Sequence, residues 1–212
     1  MAELSDAVPR DRFIPMFDDV REEIIATDID ALEAHRPNDV VGVSLYVWDE
    51  MVHRGVTKEP FKISPIINGG MVGIYDFVRK ELGQEPVTDV YSTRFFNEID
   101  PAMSFVDVTL LQCFPDDIHI ADVEFADNRR PIDDTPPVKG ARNYHELNIF
   151  DDFLQRLKDV ARDRGAGRLS LMVGGPGLYE VFARHGFKVG DSAMAQMAFE
   201  TTSVGFSMYQ VI

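Results

Sequence analysis

Two consecutive apolar segments near the middle of the chain constrain its fold most. Residues 104–114 read SFVDVTLLQCF and residues 118–126 read IHIADVEFA, with only PDD between them. Both segments are rich in β-branched and aromatic residues, and a short turn-forming connection joins two such strands into an antiparallel hairpin. Apolar side chains occur on both faces of this hairpin, so we expect it to lie in the interior of a sheet.

The alternation of side chains along the two strands predicts which of them share a face. We pair Phe114 with Ile118. In this register one face carries Val108, Leu110, Asp122 and Glu124, and the other carries Asp107, Leu111, Val123 and Phe125. Two carboxylates are therefore expected side by side on one face.

The chain after the hairpin predicts a strand–helix–strand unit. A connection with three prolines spans residues 127–145, and apolar residues then recur every three or four positions from Leu147 to about Arg164, before Gly165. This spacing predicts a helix that the glycine ends. The segment RLSLMV, residues 168–173, is a short strand. Because such crossovers are right-handed, we expect this strand to lie parallel to the second hairpin strand in one mixed sheet.

The last forty residues complete this order. The stretch GGPGLYEVFARHGF, residues 174–187, predicts a short helix that Gly186 ends. The segments AMAQMAFE, residues 193–200, and VGFSMYQVI, residues 204–212, are interpreted as two strands.

The first 103 residues are interpreted as helices and strands that complete the sheet of a core formed by residues 104–212. The length favours one domain over the whole chain. Helical spacing of apolar residues predicts a helix over residues 17–35, and GGMVGIYDFVRKELG predicts a second helix closed by Gly83. The segment DVVGVSLYVWD, residues 39–49, is interpreted as a strand, and residues 61–67 as a weaker one.

The charge of the chain bears on its partners. It contains 36 Asp and Glu against 21 Lys and Arg, a net charge of -15. Such a field repels nucleic acid and anionic membranes, so we expect neither as a partner. It attracts amines, polyamines or a basic protein, although a solubilising surface explains the same composition.

Several chemistries lack their sequence patterns. Neither HExxH nor paired Cys/His spacing indicates a metal, no GxSxG motif is present, and GGPG lacks the Lys and Ser or Thr of a P-loop. Cys113 is the single cysteine, which excludes an intrachain disulfide. No secretory segment or apolar run of about 18 residues is found. We therefore expect a cytoplasmic protein, or one within a particle assembled inside the cell.

From Ser104 to Ile212, the order of elements resembles the GNAT superfamily of acyl-CoA-dependent N-acyltransferases. The most specific element is RLSLMV followed by a short helix ending HGF and another strand. The resemblance implies an α/β fold whose mixed central sheet is flanked by helices and whose two parallel strands splay apart. It implies acetyl-CoA or another acyl-CoA, with pantetheine in the gap beside Val123 and Phe125 and pyrophosphate at the start of the crossover helix. It also implies an amine as acyl acceptor.

Three features depart from that family. Its phosphate loop usually reads Gln or Arg, two residues, Gly, one residue, then Gly or Ala, whereas PVKGAR, residues 137–142, keeps only Gly140. Phe182 stands where the family often has a tyrosine that protonates the departing thiolate, and Pro176 lies near its usual asparagine. Two functions therefore remain open. One is a divergent N-acyltransferase, and the other is a non-catalytic interaction or assembly component, for example of a phage particle, in a homo-oligomer or larger complex.

Glu124 and Tyr179 are the candidate catalytic residues. The resemblance implies a glutamate base on the strand of Glu124, and repulsion from Asp122 would raise one carboxyl pKa. The alternative is that both carboxylates lie at a sheet edge or pair with arginines. Tyr179 lies one helical turn before Phe182 and is a candidate acid, unless its ring simply packs in the core. His119 and His145 are alternative bases.

A locally basic segment is the candidate for binding the CoA phosphates. Four basic side chains stand against two acidic ones between Asn128 and Asn143. Direct contacts from these side chains can replace a missing glycine-rich loop. The predicted cofactor-binding residues here are Arg129, Arg130, Lys139, Gly140 and Arg142. A solvated or partner-binding loop is the alternative.

Overall fold

The computed structural model describes residues 1–13, 20–57, 73–97, 104–127, 149–175 and 177–212. Its centre is a seven-stranded mixed sheet with strand order β1-β2-β3-β4-β5-β7-β6. The strands are β1 Val20–Ala26, β2 Val87–Asn97, β3 Ser104–Cys113, β4 Asp117–Asp127, β5 Arg168–Met172, β6 Lys188–Val189 and β7 Ser207–Val211. The α-helices are α1 Arg10–Phe13, α2 Ile29–His35, α3 Pro37–His53, α4 Ile74–Leu82, α5 Ile149–Asp163, α6 Leu178–Arg184 and α7 Ala193–Thr201, and a 3₁₀ turn spans Leu4–Ala7.

The pairing of the strands confirms the α/β mixed sheet. Strands β1 to β4 are antiparallel neighbours, β4 and β5 are parallel, and β7 is antiparallel to both β5 and β6. Helix α5 connects the two parallel strands, as predicted. The chain therefore has the GNAT-like arrangement in which one parallel pair lies inside an otherwise antiparallel sheet.

The sheet separates two apolar clusters, each covered by helices. On one face α5 and the 3₁₀ turn cover a cluster that includes Val108, Leu110 and Phe153. On the other face α2, α3 and α4 cover a cluster that includes Val47 and Leu111. We call these the α5 face and the α3 face.

The hairpin is confirmed, but the predicted faces of β4 are wrong. The predicted pairing of Phe114 with Ile118 is also wrong, since Ile118 pairs with Gln112 and Cys113 pairs with Asp117 at the turn. The register then shifts between Leu110, which pairs with Ile120, and Thr109, which pairs with Asp122. Ala121 is thus an extra residue in β4, a β-bulge that reverses the faces of the residues after it. Asp122 and Glu124 do share a face, but it is the α3 face with Asp107 and Leu111. Val123 and Phe125 lie on the α5 face with Val108 and Leu110.

Three other segments differ from their predictions. The segment predicted as a helix over residues 17–35 contains strand β1 and then α2, because β1 pairs with β2 along its length. The strand predicted over residues 39–49 belongs to α3, which buries its β-branched and aromatic residues against the sheet. The strand predicted over residues 193–200 is α7, whose first turn Ser192 caps by accepting a hydrogen bond from the Ala195 amide. Residues 61–67 lie outside the described residues.

The remaining local predictions are confirmed. Helices α4 and α5 occur where predicted, and β5 and β7 are strands. Gly83 and Gly165 follow their helices with φ of +75° and +74°, the left-handed conformation in which a side chain would be strained.

A buried ion-pair group fixes α3 on the sheet. The Arg168 guanidinium of β5 lies 2.7 Å from an Asp117 carboxylate oxygen and 2.6 Å from one of Glu50 in α3. The Tyr46 hydroxyl, also from α3, donates a hydrogen bond to Asp117. Glu50 also pairs with Arg54 at 3.0 Å, but Arg168 is the cation that joins an acid of α3 to an acid of β4, so the position of α3 across β4 and β5 depends on it.

We expect Arg168→Ala to lower the free energy of unfolding by about 3–5 kcal/mol, because the buried Asp117 carboxylate loses its cation and Glu50 loses one of its two arginines. Urea denaturation followed by circular dichroism measures this. The control is Arg162→Ala, which breaks an exposed pair with Asp159 and should cost less than about 1 kcal/mol. Equal losses in the two variants would contradict the anchoring role of Arg168.

Candidate functional site

The central feature of the site is the point where β4 and β5 part. The two strands pair from Asp117 and Arg168 as far as Ile120 and Leu171. β4 then bulges at Ala121 and continues to Asp127, whereas the backbone of Val173 bonds to Phe206. The far half of β4 therefore has no β5 residue paired with it, and backbone groups directed towards β5 need other hydrogen-bond partners. The pairing thus ends within β4, which is compatible with the separation of the two parallel strands that the sequence resemblance implies.

The bulge gives the two faces of this gap different chemistry. On the α5 face Val123 and Phe125 are partly buried and pack against the apolar cluster. On the α3 face Glu124 is exposed. The gap therefore has an apolar side and an acidic side.

The acidic side is organised by two arginines. Arg36, between α2 and α3, lies 2.7 Å from an Asp107 oxygen and 2.6 Å from an Asp122 oxygen. Arg94 of β2 makes two hydrogen bonds to Asp107, of 2.7 and 2.6 Å. We call the group formed by Arg36, Asp39, Arg94, Asp107, Asp122 and Glu124 the carboxylate cluster. It contains four acids and two cations.

The carboxyl pKa values of Asp39, Asp122 and Glu124 are raised. The Glu124 residue is exposed, but partial desolvation of its carboxyl group is the largest cause of its raised pKa, followed by repulsion from Asp122 and Asp107. Burial also raises the pKa of Asp122, although the Arg36 guanidinium acts in the opposite direction. The sequence left open that both acids pair with arginines. Asp122 does pair with Arg36, whereas Glu124 forms no ion pair with the described residues.

Asp39 is the member of the cluster that the sequence analysis did not identify. Burial, with repulsion from Asp122, raises its pKa to about 6, and the Arg36 guanidinium acts against this. One of its carboxylate oxygens is buried and accepts no hydrogen bond from the described residues. The local signal was Pro37, which marks the first turn of a helix and places Asp39 there beside the helix N-terminus.

His119 has a structural role in the paired part of β4. Its Nδ1 lies 3.0 Å from the Ser170 hydroxyl, and its ring stacks on Tyr46 at 4.8 Å. Complete burial lowers its pKa to about 3, so the imidazole is neutral and enclosed. It is not positioned as a base. His145, the other alternative, lies outside the described residues.

Tyr179 and Phe182 both pack on the α5 face, which agrees with their placement one turn apart. The Tyr179 ring lies 4.9 Å from the ring of Phe199 and 6.2 Å from that of Phe206. Its hydroxyl makes no hydrogen bond with the described residues. Glu124 and Tyr179 therefore lie on opposite faces of the sheet.

The start of the crossover helix is acidic. Asp151 and Asp152 lie in the first turn of α5. Asp151 contacts the His185 ring at 2.9 Å, and Asp152 pairs with Arg156 at 3.1 Å. An anion at this helix start would meet two carboxylates. The predicted phosphate contacts from Arg129, Arg130, Lys139, Gly140 and Arg142 lie outside the described residues.

In the described parts of the chain, no group of three or more His, Cys, Asp and Glu side chains is arranged to hold a metal ion. None of the described helices is both long and apolar enough to cross a membrane. Cys113 is buried and its thiol is free.

Acetyltransferases are among the solved structures that resemble this one. Nourseothricin acetyltransferase is 16% identical with a TM-score of 0.36, and the match covers 57% of this chain and 65% of that one, just under two thirds. The PaiA N-acetyltransferase from Thermoplasma acidophilum, in complex with coenzyme A, is 14% identical with a TM-score of 0.36, covering 92% and 99%. A GNAT-family acetyltransferase from Staphylococcus aureus is 10% identical with a TM-score of 0.37, covering 91% and 99%.

No family model and no curated protein matches the sequence. The structural similarities are too low to carry an argument about activity. What the site can do therefore depends on its own geometry.

We expect Tyr179→Phe to leave the free energy of unfolding within about 0.5 kcal/mol of the parent protein, because the hydroxyl has no described partner. Tyr179→Ala should cost roughly 3 kcal/mol, since it removes a ring packed against Phe199 and Phe206. Thermal and urea unfolding of the two variants measure the difference. A loss above about 1 kcal/mol for Tyr179→Phe would mean that the hydroxyl is a structural hydrogen-bonding group rather than a free one.

Proposed function

We propose that this chain is a divergent GNAT-type N-acyltransferase that transfers an acyl group from acyl-CoA to an amine. The observation that carries the proposal is the parting of β4 from β5 after Ile120 and Leu171. An extended ligand would lie in a slot beside the unpaired part of β4, with an apolar side and an acidic side.

The slot fits the chemistry of an extended amide-containing chain. Backbone groups of β4 beyond Ala121 lack a β5 partner, and an added extended ligand satisfies such groups as another strand would. Acyl-CoA supplies, when bound, a thioester whose acyl carbon forms a bond to the amine nitrogen while its bond to sulfur breaks. Val123 and Phe125 would contact the pantetheine, and Arg129, Arg130, Lys139, Gly140 and Arg142 the phosphates.

The acceptor amine is proposed to approach from the α3 face. The carboxylate cluster has more acids than arginines, and the chain as a whole carries a net charge of -15. Both favour an ammonium ion. Glu124 is exposed there and has a raised pKa, so it is suited to accept a proton from the nitrogen and pass it to water.

The departing sulfur is proposed to receive its proton from the α5 face. Tyr179 lies on that face, and its hydroxyl has no described partner. The ammonium nitrogen loses two protons in becoming an amide nitrogen. One balances the proton that the thiol gains, and the other leaves to solvent. Placing base and acid on opposite faces of the gap separates these two transfers.

A second candidate function is a non-catalytic interaction or assembly component. Two acids occupy the first turn of α5, where the resemblance places pyrophosphate, and Phe182 stands at the usual tyrosine position. Loss of cofactor binding is what a fold reused for assembly would show. In this case the partner is a protein or a second copy of the chain.

We expect acetyl-CoA to give measurable heat in calorimetry and to raise the melting temperature of the protein. Glu124→Gln should lower kcat at least about a hundredfold with little change in KM for acetyl-CoA, because the base is lost but the slot is retained. A thiol reagent that follows CoA release with a panel of alkylamines measures both constants.

Glu81→Gln is the matched control, since Glu81 is an exposed residue of α4 on a different part of the molecule. It should behave as the parent protein. No heat and no melting shift at millimolar CoA, together with a stable oligomer by light scattering, would overturn the enzymatic proposal in favour of the assembly component.

A further inference from the structure

We propose that Asp39 is the carboxylate that recognises the acceptor, by accepting a hydrogen bond from its ammonium group, and that the acceptor is therefore a cationic alkylamine rather than a neutral arylamine. This inference rests on the proposed acyl transfer for the identity of the ligand. The geometry that supports it belongs to the protein alone.

The first argument concerns the hydrogen bonds of Asp39. One of its carboxylate oxygens is buried and has no partner among the described residues. A buried carboxylate oxygen without a donor is costly, and native proteins normally satisfy it with protein, water or ligand. A ligand that brings its own N–H donors removes this cost.

The second argument concerns the cations near Asp39. Arg36 directs its two terminal nitrogens to Asp107 and Asp122, and Arg94 binds Asp107 with two hydrogen bonds. Neither guanidinium forms an ion pair with Asp39 in the described structure. Asp39 therefore has no ion-pair partner among the described residues, and an ammonium ion would supply one.

The third argument concerns the groups that face Asp39 from each neighbouring element. Arg36 precedes its own helix, Asp107 and the Thr109 hydroxyl lie on β3, and Asp122 lies on β4. Asp122 and Asp107 raise the pKa of Asp39, whereas Arg36 and Thr109 lower it. Glu124, two residues after Asp122, adds a further acid on the same face. An ammonium ion is attracted by all of these acids, but a neutral amine is not.

Asp39→Asn is the test, because it keeps the size of the side chain and removes its charge. Calorimetry with n-butylamine at pH 7.5 should show binding to the parent protein that is at least about tenfold weaker in the variant. Aniline, which is neutral at this pH, should bind neither. The matched control is Asp30→Asn, since Asp30 and Asp39 both lie in the first turn of a helix and lose the same dipole interaction.

Stability against pH is a readout that needs no ligand. The pKa of Asp39 is about 6 in the folded protein, against 3.8 for the ordinary group, so the folded state holds this proton more tightly. The stability that Asp39 contributes is therefore greatest at low pH and falls as pH rises from about 4 to about 6. Between about pH 4 and pH 6 the unfolding equilibrium constant of the parent protein should therefore increase by a factor roughly a hundredfold larger than that of Asp39→Asn. At pH 7.5 the variant should be at least as stable as Asp30→Asn.

The outcomes separate this inference from the proposed function. Weaker n-butylamine binding in a variant of undiminished stability supports the role of Asp39. Unchanged binding overturns it, and so does a variant less stable than Asp30→Asn, since Asp39 would then be a structural partner. Binding of acetyl-CoA without any amine binding overturns the inference and leaves the acyltransferase standing. If n-butylamine binds the parent protein but not Asp39→Asn, and acetyl-CoA binds neither, Asp39 is retained as a cation site and the acyltransferase proposal is overturned.

Discussion

The extra residue at Ala121 is the constraint on which the rest of the site depends. Along an uninterrupted strand Ile118, Ile120, Asp122 and Glu124 would share one face, and that face packs against the apolar cluster under α5. Two carboxylates would then be buried without cations, at a cost of several kcal/mol. The bulge sends them to the α3 face, where Arg36 is available. It also lies immediately after the last residue of β4 that pairs with β5, so one backbone irregularity both opens the gap and gives its two sides different chemistry.

The position of α3 follows from a second set of buried charges. Glu50 and Tyr46 reach Arg168 and Asp117 at the paired ends of β4 and β5. The beginning of the same helix lies over β3 and β4, where Arg36 contacts Asp107 and Asp122. A helix held at both ends cannot slide without breaking buried ion pairs, and removing one partner of such a pair is strongly destabilising. The carboxylate cluster is therefore built on rigid elements, which suits recognition of a small cation.

The sequence predicts those parts of the structure that short-range chemistry decides. The hairpin, the crossover helix and the stops at Gly83 and Gly165 follow from strand composition, apolar spacing and left-handed glycines. The predictions for β1 and α3 are wrong because tertiary contacts decide both elements. β1 is a strand because it pairs with β2. α3 buries β-branched and aromatic residues whose composition is equally typical of a strand. The bulge depends on where two strands part, so the faces of β4 could not be read from alternation alone. The role of Asp39 in the cluster depends on long-range contacts that the sequence does not show. Arg36 donates its hydrogen bonds to Asp107 and Asp122, which are 71 and 86 positions away in the sequence.

Charge arithmetic links the cluster to the gap. Four carboxylates and two guanidiniums leave an excess of acid, and the pKa values of Asp39, Asp122 and Glu124 are raised. Asp122 and Glu124 lie on the part of β4 that is no longer paired with β5. A group of purely structural ion pairs would be balanced, as it is where the two cations Arg168 and Arg54 meet the two acids Asp117 and Glu50. Imbalance costs stability, and proteins tolerate such a cost chiefly where a ligand relieves it. The open strand edge and the uncompensated carboxylates are therefore best understood as two halves of one site, one suited to an extended amide chain and the other to a cation.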